Sequence, residues 1–145
     1  TAIKVVKALS LEVLLLEDGK KVSLVGLTAP AVPRPKDEKL DKYGFVIPDP
    51  EPDTTTPIAV EAMATLRTMI EGKTVRLEFD VELRNSDGIL LVYVFLPDGL
   101  LLNEEMLRLG LAQLKLRAPN LQYADRFRKA YQEARREMRG FQSQW

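Results

Sequence analysis

The side chains able to move protons, hold metals or grip anions are confined here to carboxylates, Arg, Lys, Tyr and hydroxyls, because the 145 residues include no His and no Cys. Imidazole acid–base catalysis, His-based metal sites, thiol nucleophiles, zinc–thiolate sites and disulfides are thereby excluded. Without Cys the redox compartment stays open. Four groups remain. Glu78 and Asp80 share one face of an alternating run, a spacing that suits hydrogen bonding to a neighbouring layer more than catalysis. Glu12 and Arg84 stand singly, and exposed charge is the default reading of both. Asp37, Glu38, Asp41 and Asp49 fall in a Pro-rich stretch. Arg126, Arg128, Lys129, Arg135 and Arg136 crowd the C-terminal end, where Lys115 to Trp145 carries eight Lys and Arg against three Asp and Glu. That excess of about +5 makes the last group a candidate surface for an anionic partner.

Elsewhere the balance is acidic by the same amount, since 21 Lys and Arg meet 21 Asp and Glu. A net charge of zero gives little long-range steering toward phosphate. The length suits one domain, residues 1–145, able to bury its own core. No apolar run approaches the roughly 20 residues of a membrane-spanning helix. The chain starts at Thr1 with no Met and no signal-like segment, which fits a leader removed or left out, so localisation stays open with export as one expectation.

The elements that must position these groups follow from periodicity. Strands are expected over Lys4–Ala8, Glu12–Leu16 and Lys21–Leu27, with Asp18-Gly19 as the first hairpin turn. Prolines at 33, 35, 48, 50 and 52 make residues 31 to 56 a long insertion loop. Thr56-Pro57 opens a helix with Ala59, Ala62, Met63, Leu66 and Ile70 along one stripe, ended by Gly72. Thr74–Leu83 alternates apolar and charged residues, as a half-buried strand does. Ile89–Leu96 is apolar throughout and reads as a central strand. Asn103 is placed to cap a short helix that Gly110 closes. A last helix from about Leu121 to Arg139 carries Phe127, Ala130, Tyr131, Ala134 and Met138 inward. Val75, Leu77, Phe79, Leu24 and Val94 are the expected barrel core.

Three segments in this order resemble the staphylococcal (thermonuclease-like) nuclease domain. Val22-Ser23-Leu24-Val25-Gly26-Leu27-Thr28-Ala29-Pro30 is similar to that family's V-R-L-x-G-I-D-T-P strand. Glu61-Ala62, Leu66 and the run from Glu71-Gly72-Lys73 to Asp80 resemble its E-A…L…E-G-K-x-V-x-L-E-x-D pattern. Asp98-Gly99, Leu102-Asn103-Glu104, Leu107 and Gly110-Leu111-Ala112 resemble its D-G…V-N-E…L…G-L-A segment. The resemblance covers nearly the whole chain and implies an α+β fold, a five-stranded OB-fold β-barrel with three helices.

It also implies a nuclease site in which two Arg grip the scissile phosphate, a Glu acts on the attacking water and acidic residues hold one calcium ion. Arg and a divalent cation suit that task because negative charge builds on the nonbridging oxygens. Carried over residue by residue, the two Arg positions are Ser23 and Ile89 and the Glu position is Ala31. The metal positions are Leu9, Leu11, Thr28 and Ala29. None of these side chains can supply the expected charge.

The expectation is therefore a barrel without catalytic or metal-binding residues and without a cofactor, acting as a binding or interaction module for nucleic acid or protein. One alternative is a calcium-dependent phosphodiesterase acting on single-stranded DNA or RNA with relocated groups, for which the insertion acids are candidates. Another is a structural domain of a longer protein.

Overall fold

The computed structural model describes residues 2–30, 54 and 56–144. The Pro-rich loop predicted over 31–56 therefore lies, apart from Thr54 and Thr56, outside the described residues, as do Ala31 and the four insertion acids. Strands β1 (Ala2–Ala8), β2 (Val13–Leu16), β3 (Lys21–Leu24) and β4 (Leu27–Thr28) precede helix α1 (Pro57–Ile70). After it come β5 (Thr74–Glu78), β6 (Leu90–Phe95), α2 (Leu102–Arg108), β7 (Gln113–Leu114), α3 (Ala124–Arg136) and a 3-10 turn at Gly140–Gln144.

Five strands close into a barrel in the order β1-β2-β3-β6-β5, the OB-type architecture expected. All neighbours are antiparallel except β3 and β6, which run parallel with Ser23 opposite Leu91. Closure comes from β1 on β5, where Ile3 faces Val75. Inward alternation along each strand fills the interior with Val5, Leu14, Val22, Val75, Val92 and Val94, all essentially excluded from water. Helix α1 covers the side of the barrel at β1 with Ala59, Ala62, Leu66 and Ile70. The Thr56 hydroxyl caps it by accepting from the Ala59 N–H at 3.2 Å, with Pro57 at the first helical position.

Several expectations are corrected. The strand read as Lys21–Leu27 breaks at Val25-Gly26, where Gly26 takes φ +89°. Leu27 and Thr28 leave the barrel to pair with Leu114 and Gln113. The strand read as Thr74–Leu83 ends at Glu78, and the apolar alternates beyond it are not buried: Phe79, Val81 and Leu83 are exposed at 43%, 73% and 53%. Phe79 is thus not core. The backbone there is anchored instead by Asn120: Glu82 donates its backbone N–H to the Asn120 Oδ1, and the Asn120 Nδ2 returns a bond to the Glu82 carbonyl, both at 2.8 Å.

Asn103 does not cap α2, whose N-cap is Leu101; its side chain is wholly buried between strands. Its Oδ1 accepts from the Val94 N–H, and its Nδ2 donates to the Val25 and Val92 carbonyls. The last helix spans Ala124–Arg136, not Leu121–Arg139, following the cis Ala118-Pro119 bond. Met138 has φ +51° and is 68% exposed, so it leaves the apolar stripe that Phe127, Ala130 and Ala134 form.

Candidate functional site

Where the β3 strand breaks, its end and the β4–β7 pair open a cleft of about 430 Å³. One wall is Ser23 to Thr28; the others are Glu12, Glu82, Asn85, Ser86, Leu91, Lys115, Arg117 and Asn120. Local sequence explains the opening. Gly26 turns the chain out of the barrel, and its carbonyl accepts from the Lys115 N–H at 2.9 Å, so β7 is hung beside the gap. Because β7 is only two residues long, the chain beyond it is held by Asn120, whose own N–H bonds the Arg117 carbonyl. The side chains of Lys115 and Arg117 consequently reach the cleft without an ion pair among the described residues.

Of the positions inferred from sequence, Ser23 and Thr28 come together on this cleft, while Leu9, Leu11 and Ala29 border a separate, more apolar depression of about 220 Å³ with Val60 and Met63. Leu11 is core. Ile89 is half-buried and fixed by its N–H bond to the Asn85 Oδ1, off the cleft wall. Glu12 lines the cleft and accepts from the Ala29 N–H at 3.3 Å. It precedes β2 in a bend, so strand alternation does not govern its direction. Arg84 is exposed and donates to the Gly88 carbonyl at 2.8 Å.

Glu82, Lys115, Arg117 and Asn120 were not singled out from sequence. The period-2 placement of Lys115 and Arg117 after Gly110-Leu111-Ala112 was the available signal.

Calcium takes about six to eight oxygens, usually with several converging carboxylates. The cleft offers two carboxylates, Glu12 and Glu82, of which the first already serves the Ala29 N–H. Among the described residues no three acids gather closely enough to hold a metal ion. The donors that the described residues bring to the cleft do not by themselves fit calcium.

Beside this region Glu78 and Asp80 bind the helical layer. Glu78 accepts from the Tyr123 hydroxyl at 2.7 Å, and that bond, with Arg76 adding charge at 2.6 Å, outweighs burial and holds its carboxyl below the ordinary range. Burial is the largest influence on Asp80 and would raise it. The Tyr93 hydroxyl at 2.6 Å and the Gln122 and Val81 N–H groups together more than offset that, so the net direction is down. Tyr93 itself is pushed far up, by burial first and Asp80 second.

A carboxyl depressed in the fold stabilises it above the unfolded value near pH 4, and that contribution disappears as pH falls through the folded value. Tyr93→Phe should therefore cost about 1 kcal/mol at pH 7, after discounting for the partial exposure of Asp80. The gap to wild type should narrow as pH falls from the unfolded value near 4 through the lower folded one. Urea titrations at pH 7 and pH 3 measure it, and an equal gap at both pH values would refute the coupling.

The basic residues of the C-terminal helix divide. Arg126 bonds Glu104 across to α2 and packs over Tyr123, while Arg139 reaches Glu133 at 3.3 Å. Among the described residues Arg128 pairs only with Asp125, a side chain 91% exposed, and Arg136 stands 3.9 Å from Glu137. Arg135 lies over the Tyr131 ring, and Lys129 has no ion pair among the described residues.

Among known proteins, the chain is 30% identical over 103 residues, 70% of its length, to the thermonuclease of Staphylococcus hyicus. The chain spans about 60% of the length of that relative. The family model described as staphylococcal nuclease homologue matches residues 21–144, which takes in the barrel from β3 onward, the cleft lining apart from Glu12, and all three helices. On that match, the chain belongs to the family of staphylococcal nuclease homologues.

Proposed function

We propose that this chain is a binding module that keeps the family barrel, lacks its hydrolytic chemistry, and holds a phosphate-bearing ligand of nucleotide size in the cleft. One observation supports the reading: Lys115 and Arg117, without an ion pair among the described residues, line the same cleft as Ser23 and Thr28, the positions where the family resemblance implies a cation and a carboxylate. Cleavage of a phosphodiester needs charge delivered to the oxygens where it develops, and neither hydroxyl delivers it. Arg117 can grip a phosphate through two parallel N–H bonds, and Lys115 acts as a point charge beside it. Glu12 and Glu82 exclude a second bound anion and select against fully anionic ligands that fill the space. A volume of about 430 Å³ lies within the ordinary range of ligand sites.

The test pairs an activity assay with a binding assay. Single-stranded DNA and RNA incubated with calcium should be cleaved no faster than the background, and calorimetry should find no micromolar calcium site. Fluorescence anisotropy of a short labelled oligonucleotide should show binding that Lys115→Ala/Arg117→Ala weakens by at least about tenfold, the loss of one or two charge-assisted hydrogen bonds. Calcium-dependent cleavage abolished by Glu12→Gln would restore the enzymatic reading. Binding unaffected by the double substitution would remove the cleft from it.

A further inference from the structure

We propose that the outward face of α3 is a second, independent contact surface, taking the phosphate backbone of double-stranded nucleic acid without regard to sequence. The basis is how the charges of α2 and α3 are paired. Glu104, Glu105 and Glu133 are satisfied by Arg108, Arg126 and Arg139, so every acid at the junction of the two helices has an internal partner. What remains among the described residues is Arg128, Lys129, Arg135 over the half-buried Tyr131 ring, and Arg136, all four exposed, beside a largely solvated Asp125 at 2.9 Å and an exposed Glu137 at 3.9 Å. Contacts of those two kinds contribute little. The four cations therefore form a charged row on a helix whose other side is locked into the core by Phe127, Ala130 and Ala134.

The chemistry of the row selects its occupant. From Arg128 to Arg136 the helix rises about 12 Å, and a duplex strand carries a charge about every 3.4 Å along its axis, so the row covers about three phosphates. Protein partners of comparable affinity dock on an exposed apolar or aromatic anchor ringed by polar groups. The row has Gln132 at its middle, and the large exposed apolar residues near it stand singly at its ends, Leu121 beside Asp125 and Arg128 and Met138 past Arg136. An anionic membrane is bound by helices that insert an apolar face, and that face of α3 is already buried. A narrow polyelectrolyte contact is what these features leave.

The experiment measures duplex binding by anisotropy, with a labelled duplex of about 16 base pairs, across a salt series. About three released counterions predict a slope of log K on log salt near −3. Arg128→Glu/Arg135→Glu/Arg136→Glu should flatten it to between 0 and −1 while circular dichroism and thermal midpoint stay those of the parent. If that variant misfolds, the corresponding Gln triple should reduce the slope to about −1. Lys115→Ala/Arg117→Ala should leave the duplex slope unchanged, which separates this surface from the cleft whichever way the cleft assay falls. A slope insensitive to the α3 substitutions, a slope lost with the cleft pair, or binding to phosphatidylserine vesicles in preference to duplex would each overturn the proposal.

Discussion

Asn103→Ala should cost about 3–5 kcal/mol, the largest loss expected from any single polar side chain in this barrel. Its amide holds three backbone groups that have no access to water: the Val94 N–H and the Val25 and Val92 carbonyls. Leaving a buried donor or acceptor unsatisfied costs about 1–3 kcal/mol each. The sum is moderated because the Val92 carbonyl also accepts from the Val25 N–H at 3.1 Å. Asn103→Asp should be worse than its shape implies: one oxygen can still accept from Val94, but the other faces two carbonyls, and a buried charge gains nothing there. Equilibrium urea unfolding is the measurement. A loss under 1 kcal/mol for the alanine variant would mean that the three backbone groups find other partners when the amide is gone.

Gly26→Ala should cost about 2–5 kcal/mol by a different route. The residue has φ +89°, where an L side chain is strained by about 1–2 kcal/mol. A Cβ built there would also run into Cδ2 and Cε2 of Phe127, a ring 1% exposed with no room to withdraw. Overpacking of that kind adds about 1–3 kcal/mol. Strain and collision can be separated by a double-mutant cycle. Phe127→Leu should relieve the steric part and leave the backbone part, giving a coupling of about 1 kcal/mol or more between two substitutions that each destabilise. Thermal or urea unfolding of the four proteins decides it, and strictly additive losses would show that the ring is not what the new methyl meets. Since Gly26 also lines the cleft, any surviving Gly26→Ala protein should bind ligand there more weakly.

Both residues sit where the sequence was hardest to interpret. Strand and helix identities were legible because their periods are strong: the alternation through Val75 and Leu77, the stripe from Ala59 to Ile70 and the Thr56-Pro57 start all state a local preference that the fold obeys. Asn103 carried two meanings, since a polar residue at the head of a helix pattern is a cap by local rules. Only the distance in space between α2 and the end of β3 makes it a cross-strand bridge. The alternation past Glu78 misled for the same reason. Tyr93, Tyr123 and Asn120 bond the polar members of the run, and tertiary partners overruled the apolar period. The cleft was half legible: Ser23 and Thr28 were identified, whereas Lys115 and Arg117 reach it through the pairing of two-residue strands that no local pattern announces.

The closure of β1 onto β5 has a consequence for how such a molecule can meet others. An open sheet offers a row of unused N–H and C=O groups to which a foreign peptide can add as an extra strand. In this barrel β1, β2, β3, β6 and β5 each have a strand on both sides, so that mode of recruitment is closed to the barrel itself, and the free edges of β4 and β7 are only two residues long. Recognition then falls to side chains on loops and helices. These can be exchanged one at a time while the backbone ladder stays as it is, and a family built on this frame can alter what it binds faster than it alters its shape.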